Sequence, residues 1–545
     1  MIVTARFIDS YVAMSLFLLF LSKKYQPMKR HFTLAFTLFL VVILQAQITP
    51  MVGDKYEVVG RNLLTNRDII AYKETFDEVV YHVAFDSLSN TALLTLWNPD
   101  QKGRLRRERY ERNMVLYDLE RQTANWNKIV NLKKESLYKH GPYVLYRYGK
   151  DYTRLDLSTG EPVFNLGRRV RPFVIDAENG WLVCATDRSK WAFRRGIHDF
   201  RKVDLNTNEI CWTRLDLNST EEMEYMGRLN DTMLIFEGSG LHAINENDGT
   251  GWDVVRNTKK TYYAGGYTYY PVEVASKPTA DTNAVYMADA NSLVRVDYEG
   301  NVVWSTDLPA QKMSHSLIGF DKGLLVLVNE GYARCYPVPY FAQPVPYGRS
   351  FIAGFNLSDG KQRYMRELEK RFDVVSDVDW IGDALYLIIN GRRDRQVMEK
   401  YDTRTGELVA KRDLTAAIYE VAGDAVGLVG SFIGSKAYMK QDSTWVSLHD
   451  LDTTAVFVAC ENGVLRFDGN LVNKGYLRYE DIYILACELD GLRYFAKGQE
   501  IVAVDSNGRE VATLGFHDLY CTESEIYSIK DKTLYIINRD QLKIE

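Results

Sequence analysis

The sequence predicts an all-β fold, a single β-propeller of four-stranded blades, with about eight blades or as few as seven. Three observations favour it. A strand–turn–strand pattern recurs along most of the chain, other short strand-like segments lie between its copies, and sustained helical periodicity is almost absent. Short strands with regular turn signals are typical of all-β solenoids, sandwiches and propellers. A period of about 40–50 residues favours the propeller.

The repeat is clearest in YDTRTGELVAKRDL, which begins at Tyr401. An apolar position precedes an Asp or Asn, a Gly or Asn usually follows three or four residues later, and another strand comes next. The Asp or Asn stands at positions 118, 156, 204, 245, 297, 356, 402 and 505. Its side chain can accept hydrogen bonds from its own turn, and the Gly provides the positive φ that the turn requires. We therefore interpret these residues as turn residues rather than catalytic ones.

A large aromatic residue follows many of these turns and is predicted to cover the hydrophobic seam between neighbouring sheets. The residues concerned are Trp126, Phe164, Trp212, Trp252, Trp304 and Tyr364. Runs such as VLYRY from Val144 and LLVLVNEG from Leu324 give each repeat room for about four strands. Only residues 420–500 are irregular: Cys460 and Cys487 lie in similar segments, but too close together for a whole blade. Either adjacent strands resemble one another there, or one blade is reduced.

The pattern apolar-Asp-x-x-Thr-Gly-x-x-x-Trp resembles the repeat of the quinoprotein-type β-propellers. The resemblance covers roughly residues 110–515 and is strongest at 155–166, 203–215, 296–308 and 401–414. That family includes pyrroloquinoline-quinone dehydrogenases and a non-catalytic outer-membrane assembly scaffold. Its dehydrogenases characteristically hold the quinone beside a disulfide between adjacent cysteines. This sequence has no adjacent cysteine pair, so the resemblance points to the non-catalytic branch, without a cofactor.

The N-terminus has the layout of a secretory signal peptide. Met28 begins a segment with a basic start and an apolar stretch at 32–44, and Ala46 precedes Gln47. We expect Met28 to be the true start, cleavage to follow Ala46, and residues 47–545 to form the propeller. The alternative is a membrane anchor, for which this apolar stretch is short. Export implies a periplasmic or extracellular location, with no membrane span in the mature chain.

Composition excludes some partners and leaves the cysteines open. A net charge of −5 argues against a nucleic-acid partner, and the basic run at 103–112 contains Glu108 and Glu111, as expected of a solvated loop. The six cysteines include no CxxC motif and no metal-like pairing with His. We expect isolated buried thiols, although export makes a disulfide possible.

Standard catalytic motifs are absent from the sequence: there is no HExxH, GxSxG, Walker loop or Rossmann glycine run. The carboxylates of DVVSDVDWIGD, at 373–383, are dense enough to suggest Ca²⁺, but their spacing is not that of a calcium loop. The segment 245–252 approaches the Asp-box of sialidases, with Asn247 where an Asp is required. No metal, cofactor or catalytic residue is therefore predicted, and an enzyme is the less favoured class.

Two insertions interrupt the repeat and carry the predicted contact surface, at 261–271 and 336–348. Both are rich in tyrosine, which offers apolar contact area at low entropic cost. The predicted binding residues are Tyr262, Tyr263, Tyr267, Tyr269, Tyr340, Phe341 and Tyr347. Because the insertions fall in two consecutive repeats, we expect them to lie side by side. The alternative is that both pack down on a propeller face.

These observations predict an exported, non-catalytic propeller that serves as a protein-binding or scaffold module of the cell envelope. The alternative is a carbohydrate-binding or carbohydrate-active propeller whose tyrosines stack on sugar rings. A quinone-dependent dehydrogenase is less favoured. An enzyme should bring two or three carboxylates together at one end of the channel, whereas a scaffold should present aromatic residues without such a cluster. The partner and the oligomeric state do not follow from the sequence.

Overall fold

The first described strand begins at Tyr56. The structure, a computed structural model, describes residues 55–542 except 87, 99–109, 150, 169, 188–196, 219–223, 265–267, 336–343, 369–372, 392–394, 418–427, 434–436, 442–443, 461–462 and 523. Residues 58–545 form one compact unit. The predicted signal peptide and its cleavage point after Ala46 lie outside the described residues. Within the described part of the chain, no helix has the length and apolar character needed to cross a membrane.

Two strands, β1 (Tyr56–Asn62) and β2 (Arg67–Thr75), precede the first blade. Blades 1 to 4 follow, each of four consecutive antiparallel strands. Blade 1 contains β3 (Val79–Asp86), β4 (Thr91–Trp97), β5 (Glu111–Asp118) and β6 (Thr123–Asn131). Blade 2 contains β7 (Glu135–His140), β8 (Tyr143–Tyr148), β9 (Asp151–Leu155) and β10 (Pro162–Arg168). Blade 3 contains β11 (Val170–Asp176), β12 (Trp181–Asp187), β13 (Ile197–Asp204) and β14 (Ile210–Asn218). Blade 4 contains β15 (Glu224–Arg228), β16 (Met233–Glu237), β17 (Gly240–Asn245) and β18 (Gly251–Val255).

Four strands near blades 5 and 6 belong to no blade and form a separate sheet. The first two are β19 (Lys259–Ala264) and β20 (Thr268–Glu273). Blade 5 contains β21 (Thr279–Ala280), β22 (Ala284–Ala288), β23 (Ser292–Asp297) and β24 (Val302–Asp307). Blade 6 starts with β25 (Ser316–Asp321) and β26 (Leu324–Asn329), is interrupted by β27 (Tyr332–Cys335) and β28 (Pro344–Pro346), and ends with β29 (Phe351–Asn356) and β30 (Gln362–Glu367).

Blades 7 to 9 contain a second insertion. Blade 7 contains β31 (Val374–Ile381), β32 (Ala384–Asn390), β33 (Gln396–Asp402) and β34 (Leu408–Asp413). Blade 8 starts with β35 (Leu428–Phe432), then carries a hairpin, β36 (Ala437–Gln441) and β37 (Thr444–Ser447), and a short helix, α1 (Leu448–Leu451). It continues with β38 (Val456–Cys460), β39 (Gly463–Phe467) and β40 (Asn473–Arg478), followed by a 3-10 turn at Tyr479–Asp481. Blade 9 contains β41 (Tyr483–Leu489), β42 (Leu492–Lys497), β43 (Glu500–Val504) and β44 (Glu510–Leu514).

Blade 10 is assembled from both ends of the described chain. It contains β45 (Tyr520–Cys521), β46 (Glu525–Lys530) and β47 (Thr533–Asn538), and β2 adds its fourth strand by pairing with β47. The preceding strand, β1, pairs with β44 of blade 9. A 3-10 turn, Arg539–Leu542, follows β47. Its Gln541 side chain both accepts from the N–H and donates to the carbonyl of Ile70, at 2.8 Å each. The ring therefore closes where residues from the two ends of the described chain meet.

Hydrophobic cores between successive blades complete the ring. Separate clusters of buried apolar residues join blades 1 to 8 in order, then blade 9 to blade 10 and blade 10 to blade 1. Between blades 8 and 9 the hairpin β36–β37 fills the joint, and Trp445 stacks on Phe495 of blade 9 with ring centroids 4.5 Å apart. The first strands of adjacent blades contact one another, for example β31 and β35, so they lie nearest the centre of the ring.

The turn chemistry predicted for the repeat is confirmed. Asp402 accepts hydrogen bonds from the N–H groups of Arg404 and Thr405 at 2.9 and 2.8 Å, and Gly406 has a φ of 67°. The aromatic residues also lie in the predicted seams. Each ring packs under the turn glycine of the next blade in the pairs Trp126–Gly160, Trp212–Gly249, Trp252–Gly300, Trp304–Gly360 and Tyr364–Gly406.

The all-β propeller of four-stranded blades is confirmed, but the expected count of about eight blades is too low: the described residues form ten. One missed blade lies in the irregular region, where Asp468 forms the turn between β39 and β40 and accepts from Asn470 and Val472. The similar segments around Cys460 and Cys487 belong to different blades. Blade 10 was missed because its outer strand comes from the N-terminal side, so it has no third turn of its own.

Candidate functional site

The two tyrosine-rich segments combine into one four-stranded sheet outside the blades, which we term the insertion sheet (β19, β20, β27 and β28). Hairpin β19–β20 is inserted between blades 4 and 5, and hairpin β27–β28 is inserted between the second and third strands of blade 6. Strand β20 pairs with β27 through Val272 opposite Cys335 and Glu273 opposite Arg334. The segments lie side by side, as predicted, although they flank blade 5 instead of belonging to consecutive blades.

A small apolar core holds the insertion sheet against blade 5. Val272, Val274 and Ala333 are fully buried, and Ala290 from the β22–β23 turn packs with them. The half-buried Tyr347 contacts the same core, and its N–H donates to the carbonyl of Gly331 at 2.9 Å. Burial raises the pKa of Tyr347. This tyrosine therefore supports the sheet as part of its core.

The other predicted binding residues are only partly described. Tyr262 pairs with Tyr270 and Tyr263 pairs with Tyr269 in the β19–β20 ladder, which places their backbones in the insertion sheet, but the structure does not describe their side chains. Tyr267, Tyr340 and Phe341 lie outside the described residues. Their role in binding stays a prediction.

A buried polar cluster at the base of the β27–β28 hairpin was not predicted from the sequence. His315 Nδ1 contacts the carboxylate of Glu330, and both residues are almost fully buried. The imidazole also stacks on Tyr332, with ring centroids 5.5 Å apart and planes 15° from parallel. Backbone bonds run from His315 N to Tyr332 O and from Glu330 N to His315 O, at 2.8 and 2.9 Å. The cluster therefore fixes the first strand of the hairpin to blade 6.

Asn329 holds both ends of the same hairpin. Its amide oxygen accepts from Ser314 N and Ser316 Oγ, each at 2.9 Å, and its Nδ2 donates to the carbonyls of Lys312 and Arg349 at 2.9 and 2.7 Å. The side chain is fully buried, and all four of its hydrogen-bonding positions are used. The sequence signal was weak but visible, because polar residues at 314–316 and 329–330 stand at the ends of apolar strands.

An ion-pair group lies beside this anchor. Glu367 of β30 contacts Lys312 and also pairs with Arg349, at 2.7 Å between Oε2 and Nη1. The hydrogen bond from Lys312 lowers the pKa of Glu367, burial opposes that change, and Arg349 adds to the lowering. All three side chains are partly exposed, so they contribute little stability. They do connect both flanks of the hairpin, at Lys312 and Arg349, to the outer strand of blade 6.

The carboxylates of DVVSDVDWIGD do not form a metal-binding group among the described residues. Asp377 and Asp379 lie on the inner strand β31, and Asp377 accepts from the N–H of Phe432 on β35 at 2.8 Å. Burial raises the pKa of Asp379, Trp380 N–H opposes this, and Asp377 adds to the increase. No group of three His, Cys, Asp or Glu suited to a metal is present in the part of the chain that the structure describes.

Comparison with known proteins adds little to this geometry. No protein-family model matches the sequence, and no curated protein matches it. Similar solved structures include BamB from Moraxella catarrhalis, with 12% identity, 74% of this chain and 96% of that chain covered and a TM-score of 0.29. Sqt1 from Saccharomyces cerevisiae has 10% identity, 72% and 95% coverage and a TM-score of 0.30. Quinohemoprotein alcohol dehydrogenase ADHIIG from Pseudomonas putida HK5 has 9% identity, 71% coverage of both chains and a TM-score of 0.29. These values are too low to indicate a shared function.

Proposed function

We propose that this chain is an exported, non-catalytic β-propeller that binds a protein partner in the cell envelope through the insertion sheet. The observation that carries the proposal is the pairing of β20 with β27, which joins two tyrosine-rich segments into one sheet. Neither segment is needed to complete a blade, because blades 5 and 6 each have four strands without them. The chain therefore maintains this extra sheet for a purpose other than closing the ring.

The base of the insertion sheet is anchored by buried contacts, which suits binding. Asn329 and the His315–Glu330 pair anchor the β27–β28 hairpin to blade 6, and the apolar core around Val272 holds β20 in place. A surface that is ordered before binding loses less conformational entropy when the partner arrives. Tyrosines on such a surface provide large contact areas with few rotatable bonds.

The contact surface is tested by comparing two multiple variants of the full chain. The insertion variant changes Tyr262, Tyr263, Tyr269, Tyr340 and Phe341 to Ser. Tyr347 is kept, because its ring packs against the core of the sheet. The control changes two exposed tyrosines of blades 1 and 2, Tyr81 and Tyr148, to Ser. Each tagged protein is used to capture partners from envelope extract, and melting temperatures confirm that both variants fold.

A protein captured by the natural chain and by the control should bind the insertion variant at least about tenfold more weakly, since tyrosines at the centre of an interface often contribute 2 kcal/mol or more. Equal capture of the partner by all three proteins would exclude the insertion sheet as the binding surface. If the natural chain recovers only polysaccharide and the insertion variant recovers none, the ligand is a glycan and not a protein.

Export is tested separately from binding. Expression from Met28 in cells with a secretory pathway, followed by N-terminal sequencing of the exported protein, should give a chain that starts at Gln47. A protein that keeps residues 28–46 or stays inside the cell would contradict this part of the proposal.

A further inference from the structure

Two cysteines that the sequence left unassigned lie on either side of one blade joint. Cys487 is in β41, the first strand of blade 9, and Cys521 is in β45, the first strand of blade 10. The two strands pack against each other near the centre of the ring. Both side chains are partly buried and contact the hydrophobic core between these blades. Both thiols are free, as the sequence suggested, but they line one core together instead of lying in separate ones.

The two thiols line the same core closely enough for each to shift the pKa of the other. Interaction with Cys521 lowers the pKa of Cys487 to about 7, although burial opposes this, and the positive charge of Arg539 adds to the lowering. Interaction with Cys487 and burial raise the pKa of Cys521, and Arg539 opposes this increase. Because the thiolate is the reactive form of cysteine, a lowered thiol pKa in this pair favours exchange with a disulfide.

Arg539 ties the backbone on both sides of this joint. Its guanidinium donates to the carbonyl of Thr522, next to Cys521, at 3.0 Å, and to the carbonyl of Leu489, in the same strand as Cys487, at 3.4 Å. It also bonds Asp490 Oδ2 at 3.0 Å. The two strands are thus held together independently of the cysteines, which keeps the thiols at the same joint.

The other described cysteines are in different surroundings. Cys184 and Cys460 are buried in separate cores, and burial raises the pKa of their thiols to about 12 and about 11. Cys211 is exposed on β14. Among the cysteines whose side chains the structure describes, only Cys487 and Cys521 line the same hydrophobic core.

We propose that Cys487 and Cys521 form a disulfide bond that joins blades 9 and 10. The oxidant is a disulfide, either a small one such as oxidised glutathione or that of an oxidoreductase. The Cys487 thiolate attacks it, forming a mixed disulfide and releasing one thiol. Cys521 then loses its proton and attacks the Cys487 sulfur, which releases the second thiol. The two cysteines together lose two electrons and two protons, and the oxidant becomes two thiols.

The test compares the purified full chain after reduction and after equilibration with oxidised glutathione. Oxidation should lower the intact mass by two hydrogen atoms, and digestion without reductant should give one peptide pair linked through Cys487 and Cys521. The bond closes a loop of about 35 residues, so the oxidised protein should melt about 3 °C above the reduced one. This difference should vanish in Cys487→Ser and persist in Cys184→Ser and Cys211→Ser.

Three results would overturn the proposal. The first is that both thiols stay free in oxidised protein that remains folded by circular dichroism. The second is a linkage of either residue to another cysteine. The third is an equal melting temperature of the oxidised and reduced forms. Cys521→Ser, compared in its reduced state with the natural chain, separates loss of the bond from loss of packing, because both of these proteins lack a disulfide.

Discussion

Trp304 of blade 5 lies directly under Gly360 of blade 6. Its indole N–H donates to the carbonyl of Leu357 in the same turn at 3.0 Å, and Thr306 Oγ1 donates to the carbonyl of Gly360 at 2.7 Å. A Cβ at position 360 would be 2.5 Å from the indole ring. The repeat glycine therefore has two roles: it supplies a φ of 69° for its own turn, and it leaves room for the aromatic ring of the preceding blade.

Gly360→Ala should destabilise the protein by about 2–4 kcal/mol, because it adds a clash with Trp304 to the cost of a left-handed alanine. Gly382→Ala is the matched control, since Gly382 has a φ of 62° and its added Cβ would meet no atom within 4 Å. That control should cost about 1–2 kcal/mol. Denaturant unfolding measures both values, and equal losses would show that the contact with Trp304 does not matter.

Asn329→Ala should loosen the insertion hairpin. The change removes four buried hydrogen bonds, among them those to the Ser314 N–H and the Arg349 carbonyl, which should cost about 3–5 kcal/mol, while the Lys312 carbonyl keeps its bond from the Arg349 N–H. Hydrogen exchange of the Tyr332 and Ala333 amides should accelerate more than exchange in blade 2. Asn470→Ala, at an exposed turn position, should change stability by less than about 0.5 kcal/mol. Unchanged exchange in β27 would show that Asn329 is not the anchor.

Arg539→Met should weaken the joint where the ring closes. The buried guanidinium donates to the carbonyls of Leu489 and Thr522, and their loss should cost about 2–4 kcal/mol. The bond to Asp490 adds little, because that carboxylate is 63% exposed. Arg478→Met, which removes an exposed pair with Glu480, should leave the unfolding midpoint almost unchanged. A similar small effect for both variants would exclude Arg539 as a structural clamp.

Asp156→Asn should reduce the loss of stability in acid. The N–H of Thr159 lowers the pKa of Asp156, burial opposes this slightly, and the hydroxyl of Thr159 and the N–H of Ser158 add to the lowering. The stabilisation is present above the unfolded pKa of about 3.9 and is lost as the pH falls through the lower folded value. The natural chain should therefore exceed the variant in unfolding free energy at pH 7, and the gap should narrow below a pH of about 4. A gap that stays constant from neutral to acidic pH would contradict this origin.

The turns were predictable because they depend on neighbours in the chain. Asp402 and Gly406 are four residues apart, and the hydrogen bonds between them involve only the local backbone. Asp468 forms a similar turn, but its DGN sequence lacks the Thr of the clearest copies, and so its blade was not counted. The predicted aromatic seam also follows from the repeat, since a residue at a fixed place after each turn meets the next blade in a similar way.

The sequence by itself determined the all-β class, the four-stranded blade and the chemistry of its turns, because these depend on short-range patterns of apolar side chains, carboxylates and glycines. Only the tertiary structure decided the count of ten blades, the pairing of β20 with β27, the anchor at Asn329 and the shared core of Cys487 and Cys521. Each of these joins segments that are separated along the chain. No local pattern specifies such contacts, because they depend on how many blades complete the ring and on which strand edges this brings together.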